Sequence, residues 1–444
     1  MPRHSAVRIG PAPTGFSLER GTGTGAERPA GRPGDRVAER AAERFPDDEL
    51  WARVAHEVAD DLAVDASARD RAGEPPFDEA GRLRESGLPA LLTPPGPGRH
   101  GAGWRAACAV IREIAAADGS IGELLAHHYV LAWSARFFGT PESAAALESA
   151  TARRRWLLGG GVEPFEPGAG PGLTLTPADG GFVLNGRRSF AAGVTVADRL
   201  VVGARSAETG ESLVALVDPA HPGVSTERAP ERLGQRLTGA GSAGFDDVPV
   251  DRDQLLGVVP RDEHDAPAHA TLAPLALQLA LVHVGLGIAE GALAEARDVS
   301  RAGWSAAPWR DGGRPERPGE DPYLLLAYGE LATAAHAAAA VLERATEALE
   351  RGLLAGPDLG VDERADIAVL VAAAEAVTSR AAVHITTRVL ELTDGSGSFP
   401  GGPGFDRFWR NARVLTAHGS PAHRLRDIGD HYLNGAHPRL TPRG

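Results

Sequence analysis

Between residues 46 and 158, apolar positions recur every three or four residues. The first series keeps an interval of four and consists of Leu50, Val54, Val58 and Leu62. Residues with this spacing lie on one face of a helix. After a Gly/Pro-rich break at 93–103, a second helical stretch begins, and the segment 121–138 is strongly apolar. The pattern therefore predicts an all-α domain over residues 46–158.

From residue 159 to about residue 260, the apolar period shortens to two, which is typical of strands. Two short alternating segments flank Ala178-Asp179-Gly180-Gly181, and this arrangement predicts a β-hairpin. The pair Asn185-Gly186 predicts a second tight turn soon afterwards. Because the strands are short and evenly spaced, we expect a small β-barrel or sandwich over residues 159–260.

Long helices rich in Ala are predicted over residues 261–444. Ala-rich faces allow helices to approach closely, as in an antiparallel bundle. Residues 1–45 carry Gly, Pro, Arg and Ser with no apolar period, so we expect a disordered extension there. The predicted fold class is α+β and mostly α, with a helical domain, a β domain and a helical bundle in that order.

The composition excludes several classes of function. The chain has 46 Lys and Arg against 59 acidic residues and a net charge of -13, which is unfavourable for binding nucleic acid or an anionic membrane. All 46 are arginine, so neither a lysine Schiff base nor a P-loop lysine is available. The single Cys108 excludes a disulfide framework and a cysteine-ligated metal. We find no metal-site motif, no run of 18 apolar residues and no signal sequence, and we expect a cytoplasmic protein.

Three strings in a fixed order carry the most specific signal. They read IREIAAADGSIG at 111–122, LNGRRSFAAGVTVADR at 184–199 and GFDRFWRNA at 404–412. Together they resemble the acyl-CoA dehydrogenase superfamily. They are most similar to its flavin-dependent monooxygenase branch, the group D enzymes typified by dibenzothiophene monooxygenase. The resemblance extends over about residues 47–438.

The resemblance implies a specific architecture and chemistry. It implies an N-terminal helical domain, a middle β-barrel and a C-terminal four-helix bundle, assembled as a homotetramer. The cofactor it implies is reduced FMN, supplied by an NAD(P)H-dependent flavin reductase, with FAD as the alternative. One oxygen atom of O2 would pass through a flavin C4a-hydroperoxide to S, N or an aromatic carbon of a small organic substrate.

The resemblance also assigns site residues. His418 and His128 match the two active-site histidines of the branch, where imidazole donates a hydrogen bond and relays protons. The expected flavin contacts are Gly160, Gly161, Val162, Phe190, Ala191, Ala192, Trp309, Gly395, Ser396 and His418. Several of these positions lack the side-chain donors common in the branch, so backbone N–H groups of Gly160, Gly161, Ala191 and Ala192 are expected to replace them.

Other interpretations of the same residues remain open. Without the resemblance, His127 and His128 would be read as satisfied histidines within a helix. An FAD-dependent acyl-CoA dehydrogenase needs a carboxylate base, yet the stretch 413–419 contains a histidine and no carboxylate. A non-catalytic helical scaffold with the same fold is the third interpretation.

Overall fold

The computed structural model describes residues 47–95, 101–162, 172–229, 231–260, 266–302, 318–393, 404–417 and 421–438. Within these ranges, helices precede the first strand, as the apolar spacing predicts. They are α1 (Asp48–Ala63), α2 (Ala66–Ala72), α3 (Phe77–Ser86), α4 (Trp104–Ala117), α5 (Gly119–Ala132), α6 (Ser134–Phe138) and α7 (Pro141–Arg154). The predicted extension at residues 1–45 lies outside the described residues.

The strands of the middle region form one sheet. They are β1 (Leu158–Gly161), β2 (Thr174–Ala178), β3 (Gly181–Phe190), β4 (Arg199–Ser206), β5 (Ser212–Val217), β6 (Val224–Arg228), β7 (Gly241–Asp251) and β8 (Leu255–Val259). Their order is β6-β7-β3-β2-β4-β5-β8, with β1 paired to β4. Most neighbours are antiparallel, but β4 runs parallel to both β1 and β2. The alternation predicts strands here, but it does not reveal the direction in which they pair.

The two turns predicted around β3 have different outcomes. The hairpin is confirmed, because β2 and β3 pair antiparallel from Thr174 opposite Asn185 to Ala178 opposite Gly181. The prediction of a second turn is wrong, because β3 continues through Asn185-Gly186. Instead, its register with β7 shifts between Leu184 and Gly186, which is the signature of a β-bulge. A glycine suits the bulge, since Gly186 has a φ of 121°.

The described C-terminal part is again helical. It contains α8 (Ala273–Arg301), α9 (Pro322–Ala355), α10 (Val361–Leu392), α11 (Asp406–Leu415) and α12 (Pro421–Asn434). Buried residues of α8, α9 and α10 belong to the same hydrophobic core as those of α4 and α5. The predicted α+β architecture, mostly α, is thereby confirmed.

Helices α4 and α8 approach each other closely at two glycines of α8. A Cβ added to Gly291 would lie 2.0 Å from the backbone oxygen of Ala116, and one added to Gly287 would lie 2.4 Å from that of Arg112. No side chain fits at either distance. The Arg112 side chain forms an ion pair with Glu290 on α8. These contacts fix the N-terminal helices on the bundle.

Three bundle helices are long and apolar enough to cross a membrane, judged by length and composition alone. They span Ala270–Arg301, Pro322–Asp358 and Val361–Leu392. None of the three contains an unbroken run of 18 apolar residues, because isolated polar residues interrupt their apolar windows. Within the protein, 78% of the first window is buried, but only 28% of the second. The second helix therefore leaves much of its apolar surface uncovered by this chain.

Candidate active site

Five of the residues predicted to contact flavin lie at one corner of the sheet. Strand β1 ends with Gly160 and Gly161, and the turn that follows β3 begins at Phe190. The Gly160 N–H donates to the Ala192 carbonyl at 3.3 Å. A Cβ added to Gly161 would lie 3.4 Å from the Phe190 ring. The structure thus brings Gly160, Gly161, Phe190, Ala191 and Ala192 together from segments some 30 residues apart.

The loop before β7 makes hydrogen bonds to this corner. The Thr238 hydroxyl donates to the Ala191 carbonyl at 3.0 Å, and the Thr238 carbonyl accepts from the Gly193 N–H at 2.8 Å. Ala191 nevertheless remains exposed. Val162 is half-buried and its backbone lies beside Gly203 of β4, where an added Cβ would meet the Val162 oxygen at 3.1 Å.

Gly160 is used by the fold itself. Its φ is 110°, a conformation that side chains rarely adopt, and an added Cβ would lie 2.4 Å from the Val201 oxygen. Its N–H is engaged with Ala192. The expectation that this N–H bonds the isoalloxazine edge is therefore corrected: Gly160 positions the β1 strand against the β3 turn.

His128 is completely buried in helix α5, and both of its ring nitrogens have protein partners. Nε2 lies 2.8 Å from the Pro89 carbonyl, and Nδ1 accepts from the Leu158 N–H at 2.9 Å. One donor and one acceptor match a neutral imidazole. Burial accordingly lowers the pKa of His128 to about 4.

This geometry does not support a direct catalytic role for His128. With both nitrogens engaged, the ring has no hydrogen bond left to offer to a flavin or a substrate. It instead ties α5 to Leu158, the first residue of the strand that carries Gly160 and Gly161. We therefore correct the sequence prediction: in this arrangement His128 is a positioning residue for β1.

A second polar pair lies elsewhere on the same helix, and the sequence analysis did not single it out. Glu123 and His127 stand one turn apart, with Oε1 and Nε2 4.0 Å from each other. Their side chains are only 7% and 11% exposed. Neither makes a hydrogen bond to any other side chain or backbone group in the described ranges. An acid four residues before a histidine in an apolar helix is the signal that could have revealed them.

Burial sets the charge state of this pair. It raises the pKa of Glu123 to about 7, opposed by the positive charge of Arg232. It lowers the pKa of His127 to about 4, and Arg232 acts in the same direction. At neutral pH, His127 is uncharged and Glu123 is near half protonation. A buried carboxyl that exchanges its proton near neutral pH is suited to acid–base work.

The string around Asp118 explains why α5 begins where it does. Asp118 is the N-cap, and its Oδ1 accepts from the N–H groups of Ser120 and Ile121. Its Oδ2 accepts from Arg69 at 3.0 Å. Burial raises the pKa of Asp118, although the nearby Arg69 guanidinium favours the charged carboxylate. The cap thus fixes the start of the helix that carries Glu123, His127 and His128.

The string at 404–412 forms the start of α11, and its polar residues anchor that helix. Arg407 is buried and paired with Glu295 of α8, and Arg410 is paired with Asp70 of α2. Asn411 accepts through Oδ1 from the Gln235 N–H at 2.7 Å. The helix is therefore tied to the bundle, to the N-terminal helices and to the loop before β7 at once.

Four predicted site residues lie outside the described residues. They are Trp309, Gly395, Ser396 and His418. His418 follows closely on the anchored helix α11, which ends at Leu415. Its predicted role at the flavin, like those of the other three residues, stays a prediction.

The residues at the corner of β1 and the β3 turn are chemically compatible with a planar flavin ring. A planar ring needs a surface without bulky side chains, and Gly161 and Ala191 present backbone with at most one methyl group. Phe190 adds an aromatic edge beside Gly161. Bulky substitutions at these positions would obstruct such a ring.

Comparison with known families agrees with this arrangement. Residues 46–153 match the acyl-CoA dehydrogenase N-terminal domain, and residues 279–421 match the acyl-CoA dehydrogenase C-terminal domain. A dibenzothiophene monooxygenase of Rhodococcus qingshengii is 35% identical over 87% of this chain and 93% of its own. A probable FMNH2-dependent monooxygenase, SfnC of Pseudomonas putida, is 32% identical over 87% of this chain and 95% of its own.

Solved structures give the same result. FMN-bound TdsC from Paenibacillus sp. A11-2 superposes with a TM-score of 0.81 at 33% identity, covering 89% of this chain and 100% of its own. The methanesulfinate monooxygenase MsuC from Pseudomonas fluorescens superposes with a TM-score of 0.81 at 32% identity, covering 88% of this chain and 99% of its own. The chain therefore belongs to the acyl-CoA dehydrogenase family, and within that family to its flavin-dependent monooxygenases.

Proposed function

We propose that this protein is the oxygenase of a two-component FMN monooxygenase. It takes reduced FMN from an NAD(P)H-dependent flavin reductase and transfers one oxygen atom of O2 to S, N or an aromatic carbon of a small organic substrate. The second oxygen atom leaves as water, and reduced FMN supplies the two electrons. The observation that carries the proposal is the likeness, over nearly the full length of both chains, to an FMN-bound oxygenase and to an FMNH2-dependent one.

Different residues of this chain would hold the flavin ring, support it and supply a proton. Gly161, Phe190 and Ala191 would hold the flavin ring. His128 would keep the strand under that ring in place through its bond to the Leu158 N–H. The predicted donor beside the ring is His418, which would hold a proton close to the bound oxygen.

Helix α5 would keep water out. All its residues except Val130 are buried, so almost no water reaches this helix. Water near the activated oxygen would release hydrogen peroxide in place of product. Glu123 is the titratable carboxyl of this buried helix and would take up or release a proton there.

The direct test reconstitutes the reaction. We expect the purified protein, with a flavin reductase, NADH, FMN and O2, to oxygenate members of a panel of sulfur, nitrogen and aromatic compounds. Label from 18O2 should appear as one atom per product molecule. Replacing FMN with FAD should lower the rate.

Two results would contradict the proposal. Bleaching of bound FAD by acyl-CoA thioesters without oxygen would identify an acyl-CoA dehydrogenase. A failure to bind flavin in either redox state would identify a scaffold without catalysis.

His418 can be tested separately. We expect His418→Ala to keep the fold but to release more hydrogen peroxide for each NADH consumed, because the proton donor beside the oxygen is lost. The matched control is His423→Ala, on the exposed surface of α12. Equal peroxide release by the two variants would remove His418 from the mechanism.

A homotetramer is part of the proposal. The apolar window of α9 is only 28% buried in the single chain, and near its start Tyr323, Leu325 and Leu326 are 63%, 57% and 72% exposed. Apolar surface of this extent is typical of subunit interfaces. Analytical ultracentrifugation should give the mass of four chains, and a monomer at micromolar concentration would contradict this part.

A further inference from the structure

A cleft rich in arginine lies between the N-terminal helices and the β domain. Pro75 and Pro76, which precede α3, line it together with Thr195 and with residues from 228–229 and 231–240. The cleft is open to solvent, and the space in it that a water-sized sphere can occupy is about 20 Å³. Three guanidinium side chains line it, from Arg228, Arg232 and Arg236.

The three arginines are not fully neutralised. Arg228 pairs with Glu74 at 3.4 Å and Arg236 with Glu231 at 3.3 Å, but these two carboxylates are 76% and 84% exposed. Ion pairs with such exposed partners are weak and exchange readily. An incoming anion could therefore replace them.

Arg232 differs from its two neighbours. Within the described part of the chain, no carboxylate lies within 4.0 Å of its guanidinium. Its Nη1 donates only to neutral oxygens, the Thr238 hydroxyl at 3.1 Å and the Gln235 carbonyl at 3.4 Å. A planar guanidinium has five N–H donors, so most of the donors of Arg232 remain available.

Thr195 supplies an independent observation. Its hydroxyl is shielded from solvent and has no hydrogen-bond partner among the residues that the structure describes. A shielded hydroxyl without a partner is unfavourable, and a bound oxyanion would accept its hydrogen bond. Hydroxyl and guanidinium donors together are the set that proteins use for phosphate, sulfonate and sulfinate groups.

The cleft adjoins the flavin corner. Thr195 lies three residues after Ala192, and its N–H donates to the Gly239 carbonyl at 3.2 Å. Gly239 follows Thr238, which supports Ala191. Arg232 is also close enough to α5 for its positive charge to lower the pKa values of Glu123 and His127. A molecule held in the cleft by one end would therefore have its other end towards the predicted flavin corner.

We propose that this cleft binds the anionic group of the substrate, of the phosphate, sulfonate or sulfinate class, through Arg232, its two neighbouring arginines and Thr195. The inference rests on the proposed function and deepens it, because it makes the substrate a small anion or a molecule with an oxyanion at one end.

The first test uses inorganic sulfate and methanesulfonate as probes. We expect both to raise the melting temperature of the full-length protein in a saturable way, beyond the effect of chloride at equal ionic strength. Arg232→Gln and Thr195→Val should each weaken binding, the arginine variant by about tenfold or more. The matched control is Arg187→Gln, which removes a charge from β3 whose partner, Glu227, lies outside the cleft. Binding that is equal in wild type, Arg232→Gln and Thr195→Val would overturn the proposal.

The second test separates the two sources of such an anion, since FMN also carries a phosphate. The affinities of FMN and of riboflavin, which lacks the phosphate, are compared in wild type and Arg232→Gln. If the cleft serves the substrate, the variant changes neither affinity and sulfate does not compete with FMN. Loss of the FMN preference in the variant would assign the cleft to the cofactor and overturn the proposal.

A third measurement keeps this inference apart from the proposed function. Oxidation of reduced FMN by O2 on the protein needs no substrate, so in the wild type it reports the proposed function separately from the cleft. With a substrate pair that differs only in a sulfonate and its neutral methyl ester, the wild type should prefer the sulfonate, and Arg232→Gln should lose that preference through a higher KM at similar kcat. If the wild type oxidises reduced FMN normally but does not prefer the sulfonate, the anion site is contradicted and the proposed monooxygenase function is not.

Discussion

Two faces of helix α5 are almost equally buried but differ in how their polar groups are satisfied. On one face, His128 bonds Pro89 and Leu158, and the Tyr129 hydroxyl donates to the Leu88 carbonyl at 3.0 Å. On the other face, Glu123 and His127 stand 4.0 Å apart, with no hydrogen bond to the rest of the described chain. Burial alone therefore does not separate the two histidines, but their hydrogen bonds do.

This difference in hydrogen bonding distinguishes polar groups that stabilise the fold from polar groups that are available for chemistry. A buried polar group with its partners in place supports the fold, whereas an unpaired one destabilises it. Groups that are kept despite such a penalty concentrate where proteins bind or react. His128 is therefore part of the scaffold of β1, whereas Glu123 and His127 make no hydrogen bond to the rest of the described chain.

The largest effect is expected at the satisfied face. His128→Ala leaves the Pro89 carbonyl and the Leu158 N–H unpaired and opens a cavity, so we expect the free energy of unfolding to fall by about 3 kcal/mol. Urea denaturation measures this. His127→Ala breaks no hydrogen bond, so its free energy of unfolding should fall clearly less. Equal losses would erase the distinction between the two faces.

Glu123→Gln should alter the pH dependence of stability. The folded protein holds the Glu123 proton more tightly than the unfolded chain, because its pKa is raised to about 7 from an ordinary 4.5. Its stabilising contribution is complete below about pH 4.5 and disappears as the pH rises through 7. The wild type should thus lose up to about 3 kcal/mol relative to the variant across this range. Glu49→Gln, at an exposed position of α1, is the control and should show no such change.

His127→Gln should produce an effect of similar size and opposite sign. The pKa of His127 is lowered to about 4 from 6.5, so its contribution is complete above pH 6.5 and is lost as the pH falls towards 4. Relative to this variant, the wild type should gain stability as the pH rises between these values. A difference that runs the other way would mean that His127 is charged in the folded protein.

The smallest effect is expected at Tyr129. Tyr129→Phe removes one neutral hydrogen bond to the Leu88 carbonyl and keeps the ring in place, which should cost about 1 kcal/mol. Urea denaturation again measures it, and flavin oxidation should not change. A loss as large as that of His128→Ala would show that this one hydrogen bond stabilises the fold by far more than a neutral bond ordinarily does.

The sequence by itself determined the order of the elements and the family. Apolar spacing is a local property, and it predicts helices over residues 46–158, strands over 159–260 and helices again from 261. In the structure, the last helix before the sheet ends at Arg154, the first strand begins at Leu158 and the first long bundle helix begins at Ala273. The three strings were sufficient to identify a flavin-dependent monooxygenase through their resemblance to that branch, and the relatives confirm it. The predicted flavin contacts Gly161 and Phe190 do lie together in the structure, and their contact with flavin stays a prediction.

Only the tertiary structure decided how the polar groups are used. The partners of His128 lie 39 and 30 residues away, at Pro89 and Leu158, and no local pattern contains them. The bulge at Asn185-Gly186 replaced a turn because β7 pairs along the whole of β3. The arginine cleft exists because separate loops meet beside Thr195. Local spacing records which residues avoid water, but hydrogen-bond partners and charge balance are set between residues that only folding brings together.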